Sequence, residues 1–247
     1  MSGHSKWATI KRKKEKTDQQ RANAFTKVTR ELIVAAKAGG GDPEHNFRLR
    51  MAVMKAKEVN MPHDNIQRAI KRGVGQSEAD NYEEVYYEGY GPGGVALLVR
   101  ALTDNRNRTA GEMRYIFSRN NGSLGEAGCV AWMFNPKGLI TMNIKIGDRT
   151  EEELFEMATG AGAEDLQDNG EFYEIYTEPG QLDPARQFLE DKKAPIKTAE
   201  LTRVPQNMVE VSGTQAEQTL KLIDALEDND DVQNIYTNAA FPEIEPE

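Results

Sequence analysis

Apolar residues in this chain recur first at three- and four-residue spacing and then, past residue 76, in the short runs and alternation of strands. The helical period begins beside Thr17 and Asp18, both good N-cap types, and runs through Phe25, Val28, Leu32 and Ala35/Ala36. The run "AGGGDPE" stops it. Asp42 is the expected cap of a second helix, with Pro43 at its first position and Phe47, Met51 and Met54 along one face. Pro62 opens a third, with Ile66, Ala69 and Ile70 inward, Lys71 and Arg72 in its last turn and Gly73 as its stop. Residues 17–73 therefore read as a three-helix domain with short apolar stripes.

The β-rich part starts with "YEEVYYEGY" and "GVALLVRAL", joined by "GPG". "TDNRNRTAGEMRYIFSRN" turns from strand to helix, with Thr103 or Asp104 as cap and Ala110, Met113, Ile116 and Phe117 as the buried set. "GCVAWMF" reads as a further strand, with Cys129 packed inside it. From Gly138 the segments "LITMNIKI", "RTEEELFEMATGA", "AEDLQD", "EFYEIYT", "LDPARQFLED" and "PIKTAELTRV" follow the order β-α-β-β-α-β, the ferredoxin-like unit. The last helix, with Leu220, Ile223 and Leu226 inward, and the strand "DVQNIYTN" are too small to stand alone. They are expected to complete the domain begun at Tyr82. The predicted fold is α+β: a basic helical domain over 1–76, a discontinuous α/β domain over 77–137 plus 205–240, the ferredoxin-like domain over 138–204, and an acidic tail over 241–247.

Charge sharpens this division. The 247 residues carry 31 Lys+Arg and 40 Asp+Glu, a net of −9. Residues 1–75 hold 17 of the cations and 7 of the acids, a net of +10, and the remainder carries −19. Asymmetry of this kind points to a polyanionic partner for the basic part. The acidic remainder is expected to face away from phosphate. No run approaches the ~18 apolar residues of a membrane span, and no apolar stretch follows the N-terminal cations, so a secretory signal is not expected. One cysteine, Cys129, excludes an intrachain disulfide and a thiolate-rich metal site. A soluble cytoplasmic protein without cofactor or metal is the expectation.

Five stretches carry a family likeness. "GHSKW" at Gly3–Trp7, "GGGDPE" at Gly39–Glu44, "YEGYGPGG" at Tyr87–Gly94, "TDNRNRT" at Thr103–Thr109 and "LEDNDDVQNIY" at Leu226–Tyr236 resemble the YebC family. Its eukaryotic branch includes the mitochondrial translational activator of cytochrome c oxidase. The likeness covers nearly the whole chain in order. Two departures from the usual pattern are visible: "NGSLGEAGCV" has Asn121 and Cys129 where Gly and Ser are common, and the stretch after Lys16 is poorer in lysine. The resemblance implies a helical first domain, two α/β domains around a cleft and no enzymatic activity. It implies either a DNA-binding transcriptional regulator or a translation factor acting on the ribosome.

The candidate nucleic-acid contacts are Lys6, Lys11, Arg12, Lys13, Lys14, Lys16, Arg21, Lys27 and Arg30, with Trp7 placed to stack on a base. The charge continues along the helices as Arg48, Arg50, Lys55, Lys57, Arg68, Lys71 and Arg72. Asn105, Arg106 and Arg108 stand at a strand-to-helix junction, which suits either a bound phosphate or an interdomain tie. "GYGPGGV" lacks the Lys-Ser/Thr ending of a phosphate loop and reads as a turn at Pro92. His4, His45 and His63 lie at no metal-ligand spacing, and no nucleophile–base grouping stands out. The leading reading is a non-enzymatic nucleic-acid-binding regulator of gene expression, with ribosomal RNA or DNA as partner, and with the oligomeric state open and a monomer favoured. The rival classes are a metal-dependent hydrolase with an acidic interdomain cleft and a protein–protein adaptor.

Overall fold

The computed structural model describes residues 18–75, 81–143, 150–169 and 172–242. The chain divides into two compact units. Asn135–Val204 forms one, and the described residues before and after it form the other. The architecture is mixed α+β.

Three helices open the larger unit: α1 (Asp18–Gly39), α2 (Phe47–Glu58) and α3 (His63–Val74). Their shared core is Val28, Leu32, Ile33, Ala35 and Ala36 of α1 against Leu49, Ala52 and Ala56 of α2 and Ile66, Ala69 and Ile70 of α3. The cap of α2 is Asn46, not Asp42. The buried Asn46 amide accepts from Leu49 N at 3.1 Å and donates to the carbonyls of Ala35 and Gly40 at 2.8 Å each, so one side chain ends α1 and starts α2. Asp42 closes its own turn by accepting from Glu44 N at 2.9 Å. With the start moved to Phe47, the inner face of α2 becomes Leu49, Ala52 and Ala56, while Phe47, Met51 and Met54 are half-buried. Gly73 also differs from expectation. It lies inside the last turn of α3, and a Cβ there would come within 2.4 Å of the Ile33 carbonyl oxygen. Its role is close approach of two helices rather than termination.

The sheet of this unit has the order β3-β1-β2-β9, built from β1 (Glu83–Tyr90), β2 (Ala96–Thr103), β3 (Ser123–Leu124) and β9 (Val232–Thr237). All its pairings are antiparallel. The hairpin between β1 and β2 turns through Pro92–Gly94, where Gly93 and Gly94 take φ of +74° and +79°. Alternation along β2 divides its side chains between two faces. Leu97, Val99 and Ala101 pack with Met113 and Phe117 of α4 (Arg106–Arg119) and with Leu222, Ile223 and Leu226 of α7 (Gly213–Glu227). Ala96 and Leu98 pack with Val130, Phe134 and Tyr236. On α4 the fully buried set is Thr109, Met113 and Phe117, with Ala110 and Ile116 half-buried. A parallel pair, β8 (Val209–Glu210) with β10 (Ala239–Ala240), completes the unit.

The stretch "GCVAWMF" is not a strand up to Phe134. Residues Ala131–Met133 form a single 3₁₀ turn. The cause is Glu88, buried on β1, whose carboxylate accepts from the backbone N–H of Gly128 at 2.6 Å, Val130 at 2.8 Å and Ala131 at 2.7 Å. Three donors converging on one anion curl the chain, and an extended strand cannot aim them together. Cys129 is accordingly half-buried in a turn, and burial together with the Glu88 charge pushes its thiol up in pKa.

The smaller unit follows its expected order: β4 (Phe134–Asn143), α5 (Glu151–Gly160), β5 (Asp165–Asp168), β6 (Phe172–Thr177), α6 (Leu182–Asp191) and β7 (Ile196–Pro205). The sheet order β5-β6-β4-β7 is that of a ferredoxin-like unit. Thr150 and Glu153 form a reciprocal capping box at the start of α5. Ile140, Met142, Leu154, Ile175, Leu182 and Leu189 are buried in this unit.

Two glycines of similar helical setting should respond oppositely to alanine. Gly73→Ala should destabilise the protein by about 1–3 kcal/mol, since the added methyl meets backbone, whereas Gly111→Ala, with open space around its Cβ position, should stabilise it by about 0.5–1 kcal/mol. Thermal melts of the two variants check the pair. Glu88→Ala strands three backbone donors and should cost about 2–4 kcal/mol, with amide exchange rising at Gly128, Val130 and Ala131. Unchanged exchange at those amides would contradict the assigned role of Glu88.

Candidate nucleic-acid interface

Lys6, Trp7, Lys11, Arg12, Lys13, Lys14 and Lys16 lie outside the described residues. Arg21 belongs to α1, and its side chain is likewise outside them. Lys27 and Arg30 are described and face inward, to the end of α7. Asn23, Lys27 and Arg30 stand at i, i+4 and i+7, one stripe of α1. Asn23 Nδ2 donates to the Asp228 carbonyl at 3.2 Å, Lys27 Nζ to the Glu227 carbonyl, and Arg30 Nη1 to the Asp230 carbonyl at 2.5 Å. The last carbonyls of a helix lack intrahelical donors and carry the negative end of its dipole, so cations suit them. The Arg30 guanidinium also lies over the Tyr82 ring, 5.5 Å from its centroid.

Asp231 gathers this junction. Its buried carboxylate accepts from Arg30 Nη1 at 2.6 Å, Arg108 Nη2 at 2.9 Å and Thr109 Oγ1 at 2.6 Å. Burial pushes its pKa up, but the Thr109 and Arg108 hydrogen bonds and the Arg30 and Arg108 charges outweigh burial and hold it below the ordinary value. The "TDNRNRT" stretch is built into the same cluster. Asn105, rather than Thr103 or Asp104, caps α4 by accepting from Arg108 N at 3.1 Å, and Thr103 Oγ1 accepts from Asn105 N at 2.9 Å. The Arg108 side chain also donates to Asp104 at 2.8 Å. Arg106 is exposed, with Glu83 at 3.8 Å.

A second ionic cluster is centred on Arg100 of β2. Arg100 donates to both Glu31 carboxylate oxygens, at 3.1 and 3.0 Å, to Glu84 at 2.8 Å and to Asn234 at 3.0 Å. Arg48 pairs with Glu31 at 3.1 Å and Glu84 at 2.7 Å. Burial alone raises the Glu84 pKa, yet Arg100 and then Arg48 bring it below the ordinary value. Sequence reasoning passed over Glu31, Glu84, Arg100 and Asp231. One signal was present: an arginine inside the otherwise apolar strand "ALLVRALT" demands a buried partner.

Other cations face solvent. On α3 the exposed Arg68, Lys71 and Arg72 occupy the side opposite buried Ile66, Ala69, Ile70 and Gly73. Lys55 and Lys57 are exposed near the end of α2. His45 pairs with Asp42 at 2.7 Å and His63 begins α3. Among the described residues, no three His, Cys, Asp or Glu side chains group closely enough to hold a metal ion, and no helix is long and apolar enough to cross a membrane. In the ferredoxin-like unit a shallow groove of about 340 Å³ is lined by Lys137, Glu164, Asp165, Gln167, Tyr176 and Val204, and its lysine is already held by Glu164 at 2.5 Å and Glu178 at 2.7 Å.

The depressed carboxylates Asp231 and Glu84 fix the sign of the pH dependence. A group whose folded pKa lies below its unfolded value stabilises above the unfolded value, and that contribution is lost as pH falls through the folded pKa. Stability should therefore fall steeply below about pH 4. Asp231→Asn should lower it by about 2–3 kcal/mol at neutral pH and should flatten the loss between neutral and acid conditions. Urea titrations at a series of pH values test both effects. A variant as acid-sensitive as the parent would remove Asp231 from this role.

The family model for the TACO1/YebC protein N-terminal domain matches residues 5–76, and that for the TACO1/YebC second and third domain matches residues 82–239. A protein of Natranaerobius thermophilus named "Probable transcriptional regulatory protein" is 55% identical over 96% of each chain. A protein of Moorella thermoacetica with the same name is 56% identical over 98% of this chain and 96% of its own. The crystal structure of a conserved hypothetical protein from Aquifex aeolicus superposes with a TM-score of 0.85 at 46% identity, covering 93% of this chain and 94% of that one. The chain belongs to the TACO1/YebC family.

Proposed function

We propose that this protein is a non-enzymatic regulator of gene expression that binds nucleic acid through its first 75 residues, and that its target is structured RNA of the ribosome. The observation that carries the reading is the segregation of charge, +10 over residues 1–75 against −19 over the rest. Each phosphate neutralised releases counterions, so clustered Lys and Arg give affinity without reading sequence. The contacts are assigned to Lys6, Lys11, Arg12, Lys13, Lys14, Lys16 and Arg21, with Trp7 stacking. Exposed Arg68, Lys71 and Arg72 of α3 add to the same positive charge. Asn105 and Arg108 are assigned to the internal junction instead of a phosphate site, while Arg106 stays exposed beside Glu83.

Two features favour RNA over a DNA operator. A recognition helix reads bases with its N-terminal residues, but the first turn of α3 carries Asp64 and its cations come later. The segment before Lys16 has no helical or strand period, which suits coupled ordering on folded RNA. The printed names of the relatives favour the second reading, a DNA-binding transcriptional regulator.

If about five phosphates are contacted, log K should fall against log salt with a slope of roughly −4. The quadruple variant Lys11→Glu, Arg12→Glu, Lys13→Glu, Lys14→Glu should lose most affinity and keep its circular dichroism. In a low-salt sucrose gradient the parent should travel with ribosomes and the variant should stay at the top. A DNA site preferred by about 10³-fold over unrelated DNA, without ribosome association at any salt, would replace this reading by the transcriptional one.

A further inference from the structure

We propose that the outer face of α4 is a second nucleic-acid contact, one that grips a single-stranded RNA segment by its phosphates and one stacked base. The proposal rests on the nucleic-acid reading above and adds a site within the acidic part of the chain. Residues 76–247 hold 14 Lys+Arg against 33 Asp+Glu, yet α4 alone contains four arginines and one acid, Glu112. A helix of opposite sign on an acidic body is not explained by solubility.

The placement of these residues is specific. Thr109, Met113 and Phe117 face the core, which turns Arg108, Gly111, Arg114, Tyr115, Ser118 and Arg119 outward as exposed positions. Arg108 is committed to Asp231 and Asp104. Arg114 and Arg119 differ from it. Among the described residues neither has a carboxylate partner, whereas Arg30, Arg48, Arg100 and Arg186 are all ion-paired. Tyr115 lies between them with 64% of its surface exposed, a large ring left in water. Arginine beside an exposed aromatic is the pairing that binds single strands, with the guanidinium on phosphate and the ring on a base face. Gly111 has open space above its Cβ position and Ser118 is small, so a backbone can approach the helix closely between the larger side chains. From Arg108 to Arg119 the face extends about 16 Å at 1.5 Å per residue, the reach of a few nucleotides.

A duplex presents phosphates but no accessible base face, so Tyr115 separates a single strand from a duplex. Charge complementarity selects the polyanion, and the body's net charge keeps it local: phosphate beyond the edges of α4 meets repulsion.

The test uses the full chain, a labelled 20-nucleotide oligouridine and a duplex DNA of the same length, titrated at several salt concentrations. Arg114→Ala with Arg119→Ala should weaken oligouridine binding roughly tenfold and reduce the salt slope by about 1.4, two contacts at about 0.7 each for a single strand. Tyr115→Ala should weaken oligouridine binding roughly tenfold without changing the slope, and should leave duplex binding unaltered. All three side chains are exposed, so circular dichroism and melting temperature should stay at parental values. The Lys11–Lys14 reversal runs in parallel to separate the two readings. If that reversal abolishes binding while the α4 variants bind as the parent, this proposal falls and the N-terminal reading stands. If the α4 variants lose binding and the reversal does not, the α4 site stands and the N-terminal assignment falls. A silent Tyr115→Ala with equal arginine losses on duplex and single strand overturns the stacked single strand. Absence of oligouridine binding by the parent at low salt overturns it as well.

Discussion

The carboxylate of Asp231 is the constraint on which the larger unit depends. It stands just before β9, accepts from Arg30 of the first helix and from Arg108 and Thr109 of α4, and its own carbonyl accepts from Leu102 N at 2.8 Å on β2. One residue therefore ties a helical bundle, a sheet and the helix on that sheet. A lone buried anion would be costly. Here two guanidiniums and a hydroxyl surround it, and removing any of them leaves charge without compensation. Apolar packing has no comparable directionality. Close packing of Met113 and Phe117 already favours one position of α4 on the sheet, and a carboxylate with three fixed donors fixes the register more sharply.

That clasp changes what the basic charge of the first helices means. Counting cations treats Lys27 and Arg30 as equal to Lys71 or Lys57. In the fold, Lys27 and Arg30 are turned to the carbonyl end of α7 and the turn after it, while the α3 cations face solvent. Arg48 and Arg100 share Glu31 and Glu84. The free positive charge of this domain is therefore smaller than its composition suggests, and the cations with internal partners serve the joint between bundle and sheet.

The hydrophobic period made the three helices, the ferredoxin-like order and most inward residues legible, because burial of a face is a local property of sequence spacing. What escaped were decisions made by distant polar groups. Asp42 and Asn46 are both acceptable caps, and only the carbonyls of Ala35 and Gly40 select Asn46. "GCVAWMF" has the composition of a strand, and Glu88, some forty residues earlier, curls it. Gly73 looks like a stop because glycine often is one, and its contact with Ile33 is invisible from α3 alone. The basic N-terminal residues were legible as a candidate site because charge is additive. The Asp231 cluster was not, since its members are separated by up to two hundred residues.

A joint of this kind also bears on how an acidic protein can hold an anionic polymer. Long-range repulsion from a body of −19 opposes approach at any face, and at physiological salt it is screened beyond about 8 Å. Binding then depends on charges that lie within that distance of the polymer. Cations already paired with carboxylates contribute little there, because their field is cancelled at close range. Unpaired ones contribute almost fully. Among the described residues, exposed Lys71 of α3 and Arg114 and Arg119 of α4 belong to the second kind. Ion pairing inside the fold thus acts as a filter, with Asp231, Glu31 and Glu84 cancelling the positive charge that serves structure and leaving the remainder exposed to solvent.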